Sequence, residues 1–153
     1  AQELTTEPTV VPVADLAATL QSAGSRSYLA VLNYLPSDPT VNDMLDEFAQ
    51  SVRDRFALPV SINAGPRYLH STGQFHKGGS DHGVFLFVYG EPLQHLDIFA
   101  EDFGFAALNQ AQAMGDCAEL SRIGRSVCWI NLDGPRFAQM QRLRAILREC
   151  LDW

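Results

Sequence analysis

Fifteen consecutive residues, Gly65-Pro66-Arg67-Tyr68-Leu69-His70-Ser71-Thr72-Gly73-Gln74-Phe75-His76-Lys77-Gly78-Gly79, gather two histidines, the chain's one lysine, an arginine, two aliphatic hydroxyls and a glutamine. An ordinary connection is built from residues that satisfy turn geometry, chiefly Gly, Pro, Asn and Asp. This one is built from groups that exchange protons, carry positive charge or donate hydrogen bonds. A histidine titrates near ~6.5, so it both gives and takes a proton at neutral pH. The Arg67 guanidinium and Lys77 ammonium suit a phosphate or a developing oxyanion, assisted by the amides that open a following helix. Ser71, Thr72 and Gln74 suit the hydroxyl groups of a ligand. The set points to a polyhydroxylated or anionic ligand.

The elements on either side say how such a segment would be presented. The run from Ser27 to Leu35 is almost wholly apolar and is closed by Pro36, as expected of a strand buried on both faces. Ser37 or Asp38 caps the next helix, with Pro39 in its first turn. There Val41, Met44, Leu45, Phe48 and Val52 recur at spacings of three and four, leaving Asp43, Glu47, Arg53 and Asp54 for water. Leu58 to Asn63 reads as a second strand, and the polar segment follows it directly. Gly83 to Tyr89 and Ser126 to Leu132 read as two further strands. Periodicity predicts a short helix from Val13 to about Ala23, and helices over Phe105–Ala113 and Cys117–Ile123 with a break at Gly115-Asp116. A last helix follows Gly134-Pro135, with Phe137, Met140, Leu143, Leu147 and Leu151 toward the core. Strands alternating with helices give an α/β fold, a three-layer α/β/α sandwich around a mostly parallel sheet. In that architecture ligands sit at the carboxyl ends of the strands, where the polar segment begins.

The composition limits the classes of function. At 153 residues the chain has room for one domain, placed at 13–153 behind a linker-like Thr/Pro/Val-rich stretch at 1–12. Hydrophobic residues at 46% and charged residues at 19% suit a folded soluble protein, and no apolar run approaches the ~18 residues of a membrane span. A net charge of −7 argues against nucleic acid, whose phosphates require a basic surface. Cys117, Cys128 and Cys150 are odd in number and form no CxxC pair, which suits buried thiols in a reducing cytoplasm. His70, His76 and His82 stand six apart, unlike the three-to-five spacing of zinc pairs, so a metal is not expected. Arg67 suits phosphate binding and surface ion pairing equally. His76 and Lys77 also fit the end of a helix, where basic groups complement the dipole.

The stretch Gly65 to Gly79, most specifically its segment His70-Ser71-Thr72-Gly73-Gln74-Phe75-His76-Lys77-Gly78-Gly79, closely resembles the C-terminal isomerase portion of bifunctional transaldolase/phosphoglucose isomerases. It is similar, more distantly, to the His-Ser-x-x-Gln motif of other phosphoglucose isomerases. Gly83-Val84-Phe85-Leu86, the run from Phe103-Gly104-Phe105 to Gly115-Asp116, and Gly124-Arg125 continue the likeness in order, from about Tyr28 to Leu132. The resemblance implies a sugar-isomerase (SIS) type domain serving glucose 6-phosphate/fructose 6-phosphate interconversion, with no metal or organic cofactor. His70 matches the histidine used near the sugar ring oxygen and Gln74 the motif glutamine. Ser71, Thr72, His76 and Lys77 match positions of the same segment, and Arg67 precedes it.

Parts of that family's pattern are absent, a late assisting lysine among them. Its proton-shuttling glutamate belongs to an upstream Glu-Ser-x-Gly-Lys segment, and no glutamate stands between Glu47 and Glu91. The Ser/Thr loop that cradles phosphate is absent as well. The chain is therefore expected to be catalytically incomplete alone and to act with an N-terminal isomerase/transaldolase portion or a second chain, a homo-oligomer included. A sugar-phosphate-binding or regulatory module and a structural dimerisation domain are the alternatives.

Overall fold

The structure is a computed structural model; it describes residues 10–92, 94 and 96–151. Four strands, β1 (Tyr28–Asn33), β2 (Val60–Ala64), β3 (Gly83–Gly90) and β4 (Ser126–Leu132), form one sheet in the order β2-β1-β3-β4. All three pairings are parallel, with Val31 opposite both Ile62 and Leu86, and Leu86 opposite Cys128.

Successive side chains of a strand point to opposite faces. Leu29, Val31, Leu86, Val88, Ile130 and Leu132 enter one core, covered by α1 (Leu16–Ser22), α2 (Pro39–Phe56) and α5 (Arg136–Glu149). Ala30, Leu32, Phe85, Phe87 and Val127 enter the other, covered by α4 (Phe105–Arg122) and by Tyr68, which precedes the short α3 (Thr72–Gly78). The three-layer α/β/α arrangement is the expected one. Burial on both faces is the reason β1 and β3 read as unbroken apolar runs.

The start of α2 follows its sequence signal. The Thr40 amide donates to Asp38 Oδ1 at 2.7 Å, and that bond holds the carboxyl below the usual carboxylate range. At the other end Ala57 takes the left-handed conformation, φ +53°. Val11 N–H donates to the Val127 carbonyl at 2.7 Å, so the end of the stretch read as a linker pairs along β4; residues 1–9 of that stretch lie outside the described residues. Cys117, Cys128 and Cys150 are buried, and burial pushes their thiols up to about 11, 12 and 11. Among the described residues no helix is long and apolar enough to cross a membrane.

Two expectations are corrected. α4 runs without a break through Gly115-Asp116. Gly115 sits on its exposed side, and the Asp116 carboxylate is engaged by groups from other elements instead of competing for its own backbone. In α5, Phe137 is 73% exposed and not in the core. At 3.6 residues per turn it lies roughly 240° around the helix from Leu143, while Gln139 shares the buried stripe of Leu143 and Leu147. The Gln139 amide is satisfied there, donating to the carbonyls of Glu91 (2.8 Å) and Gly134 (3.0 Å).

The chain winds from β1 to β2 over one face, returns past β1 to β3 over the other, and continues outward to β4. The reversal leaves the carboxyl ends of the central strands open, which is where ligands bind in sheets of this kind.

Candidate functional site

At the carboxyl ends of β1 and β2 lies a cleft of about 530 Å³. β1 contributes Asn33, whose Oδ1 accepts from the Leu35 amide at 3.0 Å and turns the chain toward Ser37 and α2. β2 ends at Ala64 and passes through a cis Gly65-Pro66 bond into a 3-10 turn, Arg67–His70. Gly65 N–H donates to the Asn33 carbonyl at 2.8 Å, which closes the two strand ends on each other. Glycine is required there, because a Cβ at position 65 would stand 2.6 Å from Cε2 of Tyr34. Arg67 lines the cleft together with Asn33, Ser37, Asn42 and, from α4, Asn109. No acidic group pairs with the Arg67 guanidinium among the described residues.

The other residues expected at a site separate into two groups. His70, Ser71, Thr72 and Gln74 are exposed on the turn and first part of α3, and none of them lines the cleft. The His70 imidazole faces solvent without a hydrogen-bond partner among the described residues. Ser71 Oγ donates to the Tyr68 carbonyl (3.3 Å), and Thr72 Oγ1 to Asn63 Oδ1 (3.2 Å).

His76 and Lys77, expected among the substrate-binding groups, are turned inward instead. The His76 residue is 3% exposed, and Phe85, Tyr28, Phe75 and Tyr68 ring it, the Phe85 centroid lying 5.1 Å away. Its Nδ1 is 3.3 Å from the Tyr28 hydroxyl, and its Nε2 has no partner among the described residues. Burial lowers the His76 pKa, opposed by the charge of Asp116. Lys77 Nζ pairs with Asp116 Oδ1 at 2.7 Å. The Tyr68 hydroxyl donates to Asp116 Oδ2 at 2.5 Å and lies 3.0 Å from the Tyr34 hydroxyl. Desolvation pushes Tyr34 up to about 12 and Tyr68 further, with the bond to Asp116 adding to the second shift, so both phenols keep their protons. The Arg125 guanidinium closes the end of α3, donating to the carbonyls of His76 (3.3 Å), Lys77 (3.2 Å) and Gly79 (2.8 Å).

Two other concavities serve as contrasts. A cleft of about 360 Å³ at the ends of β3 and β4 is lined by Glu91, Asp97 and Asp133, a field that repels an anion. A crease of about 350 Å³ between α2 and α5 carries Arg144 and Arg148 over Met44 and Phe48, but it lies on a helical face away from the strand ends. Among these the Arg67 cleft alone combines a cation with no acidic partner among the described residues, convergent amides and a strand-end position. Asn33, Ser37, Asn42 and Asn109 are missed by the sequence reading. Only Asn33, polar at the end of an apolar run, carries a sequence signal.

No protein-family model matches the chain, and no curated protein matches it. A crystal structure of a hypothetical protein from Thermus thermophilus is similar to it, with a TM-score of 0.68 and 15% identity over 90% of this chain. The chain spans 36% of the length of that protein. A likeness at that identity concerns the fold alone.

Proposed function

We propose that the chain is an SIS-type domain of a glucose-6-phosphate isomerase, of the kind fused to transaldolase, and that it binds a sugar phosphate in the Arg67 cleft. The observation that carries this reading is the Arg67 guanidinium, without an acidic partner among the described residues, in a strand-end cleft of about 530 Å³ whose other polar side chains are the neutral amides of three asparagines and the hydroxyl-bearing Ser37 and Tyr34. A guanidinium fork matches the oxygens of a phosphate two at a time. Asn33, Ser37, Asn42 and Asn109 offer donors and acceptors to a polyol. The resemblance of Gly65–Gly79 to the isomerase portion of the fusion enzymes supports the choice of ligand. His70 is exposed three residues beyond Arg67, outside the lining of the cleft, and its proposed task is on the part of the sugar that projects from it: the imidazole takes the proton of the anomeric hydroxyl and returns one to the ring oxygen as that carbon–oxygen bond breaks.

Transfer of a proton between the two carbons of the aldose–ketose pair needs a carboxylate base, and none lines the cleft among the described residues. The base then comes from an N-terminal isomerase/transaldolase portion or a second copy. The same absence favours a second reading, a binding or regulatory module without turnover. Titration calorimetry with glucose 6-phosphate, fructose 6-phosphate and 6-phosphogluconate tests the site. Binding that disappears in Arg67→Ala is expected; heat changes absent for all three ligands would sink the proposal. Turnover by the complete enzyme that falls in His70→Ala, with folding stability retained, separates the isomerase from the binding module.

A further inference from the structure

Behind the Arg67 turn runs a chain of buried contacts that sugar-phosphate binding leaves without a task. Lys77 Nζ lies 2.7 Å from Asp116 Oδ1, Asp116 Oδ2 accepts from Tyr68 at 2.5 Å, and the Tyr68 and Tyr34 hydroxyls are 3.0 Å apart. A carboxylate only accepts, so Tyr68 directs its proton to Asp116, and Tyr34 is left to donate to Tyr68. The charge at the far end therefore sets the direction of every bond in the chain.

Tyr34 is where this chain meets the cleft. Its ring stands against Gly65, close enough that a Cβ there would approach Cε2 to 2.6 Å. Its carbonyl is 3.5 Å from Asn109 Nδ2 on the opposite wall. The setting of that ring thus fixes both the turn that carries Arg67 and a group facing it. The ion pair at the other end is asymmetric, with the Lys77 side chain 32% exposed and that of Asp116 3%. Apolar residues of the same volume would fill the space without the desolvation cost of a buried carboxylate, but would leave the two phenols undirected.

We propose that Lys77 and Asp116 are positioning residues for the Arg67 cleft, acting through Tyr68 and Tyr34. The inference rests on that cleft being the ligand site. It explains why the one lysine of the chain stands within the polar segment yet faces away from the cleft.

Gly65 N–H, bonded to the Asn33 carbonyl at 2.8 Å, gives a readout that needs no ligand. Hydrogen exchange would be followed at Gly65 and at Leu86 in the central strand, in wild type, Tyr68→Phe and the double variant Lys77→Met/Asp116→Leu. Tyr68→Phe keeps the ring and the ion pair while cutting the chain; the double variant removes the ion pair without stranding a charge. In both, Gly65 exchange is expected to rise at least about tenfold beyond the change at Leu86, which follows global unfolding. Affinity for 6-phosphogluconate is expected to fall about fivefold or more in both, with Lys77→Arg near wild type. Gly65 and Leu86 changing by the same factor would overturn the proposal, since a merely structural network loosens the whole domain together. Wild-type protein that binds no sugar phosphate would sink the preceding functional reading instead, and the Gly65 measurement would still decide whether the network positions the turn.

Discussion

The two halves of Gly65–Gly79 are made of the same kinds of residue and do opposite things. In the front half Arg67 reaches a cleft and His70 faces solvent, both without a partner among the described residues. In the rear half His76 is walled in by four rings and Lys77 is paired with a buried carboxylate. A histidine and a cation are capable of catalysis or of support. Burial and pairing decide between the two, and neither is written in the residue type. On the proposed reading the front half meets a ligand, whereas the rear half holds the frame that carries it.

The sharpest way to break this contrast is to remove a cation from each half. Lys77→Met strands the Asp116 carboxylate in the second core. A fully buried pair broken in this way costs roughly 3–5 kcal/mol; the partial exposure of Lys77 lowers the expectation to about 2–4 kcal/mol. Urea unfolding measures it, and a loss below about 0.5 kcal/mol would show that water already screens the pair. Arg67→Ala is the counterpart. It should cost about 1.5–3 kcal/mol of sugar-phosphate affinity, the worth of a charged hydrogen bond, and change stability by no more than about 0.5 kcal/mol. If the two variants exchanged these signatures, the division of the segment would be in the wrong place.

A smaller effect sharpens the rear half through pH. Burial lowers the pKa of His76 in the folded chain, so between that value and about 6.5 the unfolded chain binds the proton more readily. Stability from this residue is complete above the unfolded value and is lost as pH falls through the window down to the folded one. Its neighbours do not cancel the effect: Tyr28, from β1, is itself raised by burial and stays neutral, and Asp116, from α4, is engaged by Lys77 and Tyr68. The measurement is the difference in stability between wild type and His76→Phe across that range. Identical pH profiles would mean that the imidazole is hydrated.

Much of the architecture is legible because it follows from local period. β1 and β3 are apolar without interruption since both faces are covered, and α2 shows its stripe, its proline and its capping Asp38 together. The cleft is legible only at Arg67. Asn109 lies far along the chain from Asn33 and Asn42 and meets them through the sheet order, which no spacing encodes. Phe137 is misread for a related reason: one apolar residue at the start of a helix is consistent with several phases, and the buried amide of Gln139, satisfied by Glu91 and Gly134, selects the phase that exposes it.

Gly115 shows the same limit, and its substitution has the smallest expected effect. A glycine beside an aspartate reads as a helix stop because each favours non-helical backbone. Here Asp116 is held by Tyr68 and Lys77, contacts worth more than the propensity deficit, so the helix continues and Gly115 remains as a weak point on its exposed side. A Cβ at position 115 meets nothing within 4 Å. Gly115→Ala should therefore stabilise the chain by about 0.5–1 kcal/mol through the unfolded state, without touching the cleft. Denaturant midpoints measure the gain, and calorimetry with 6-phosphogluconate checks that affinity stays at the wild-type value. If the gain is absent, α4 is not continuous in solution at Asp116. The rear half would then lack the rigid carboxylate on which the aim of Arg67 depends.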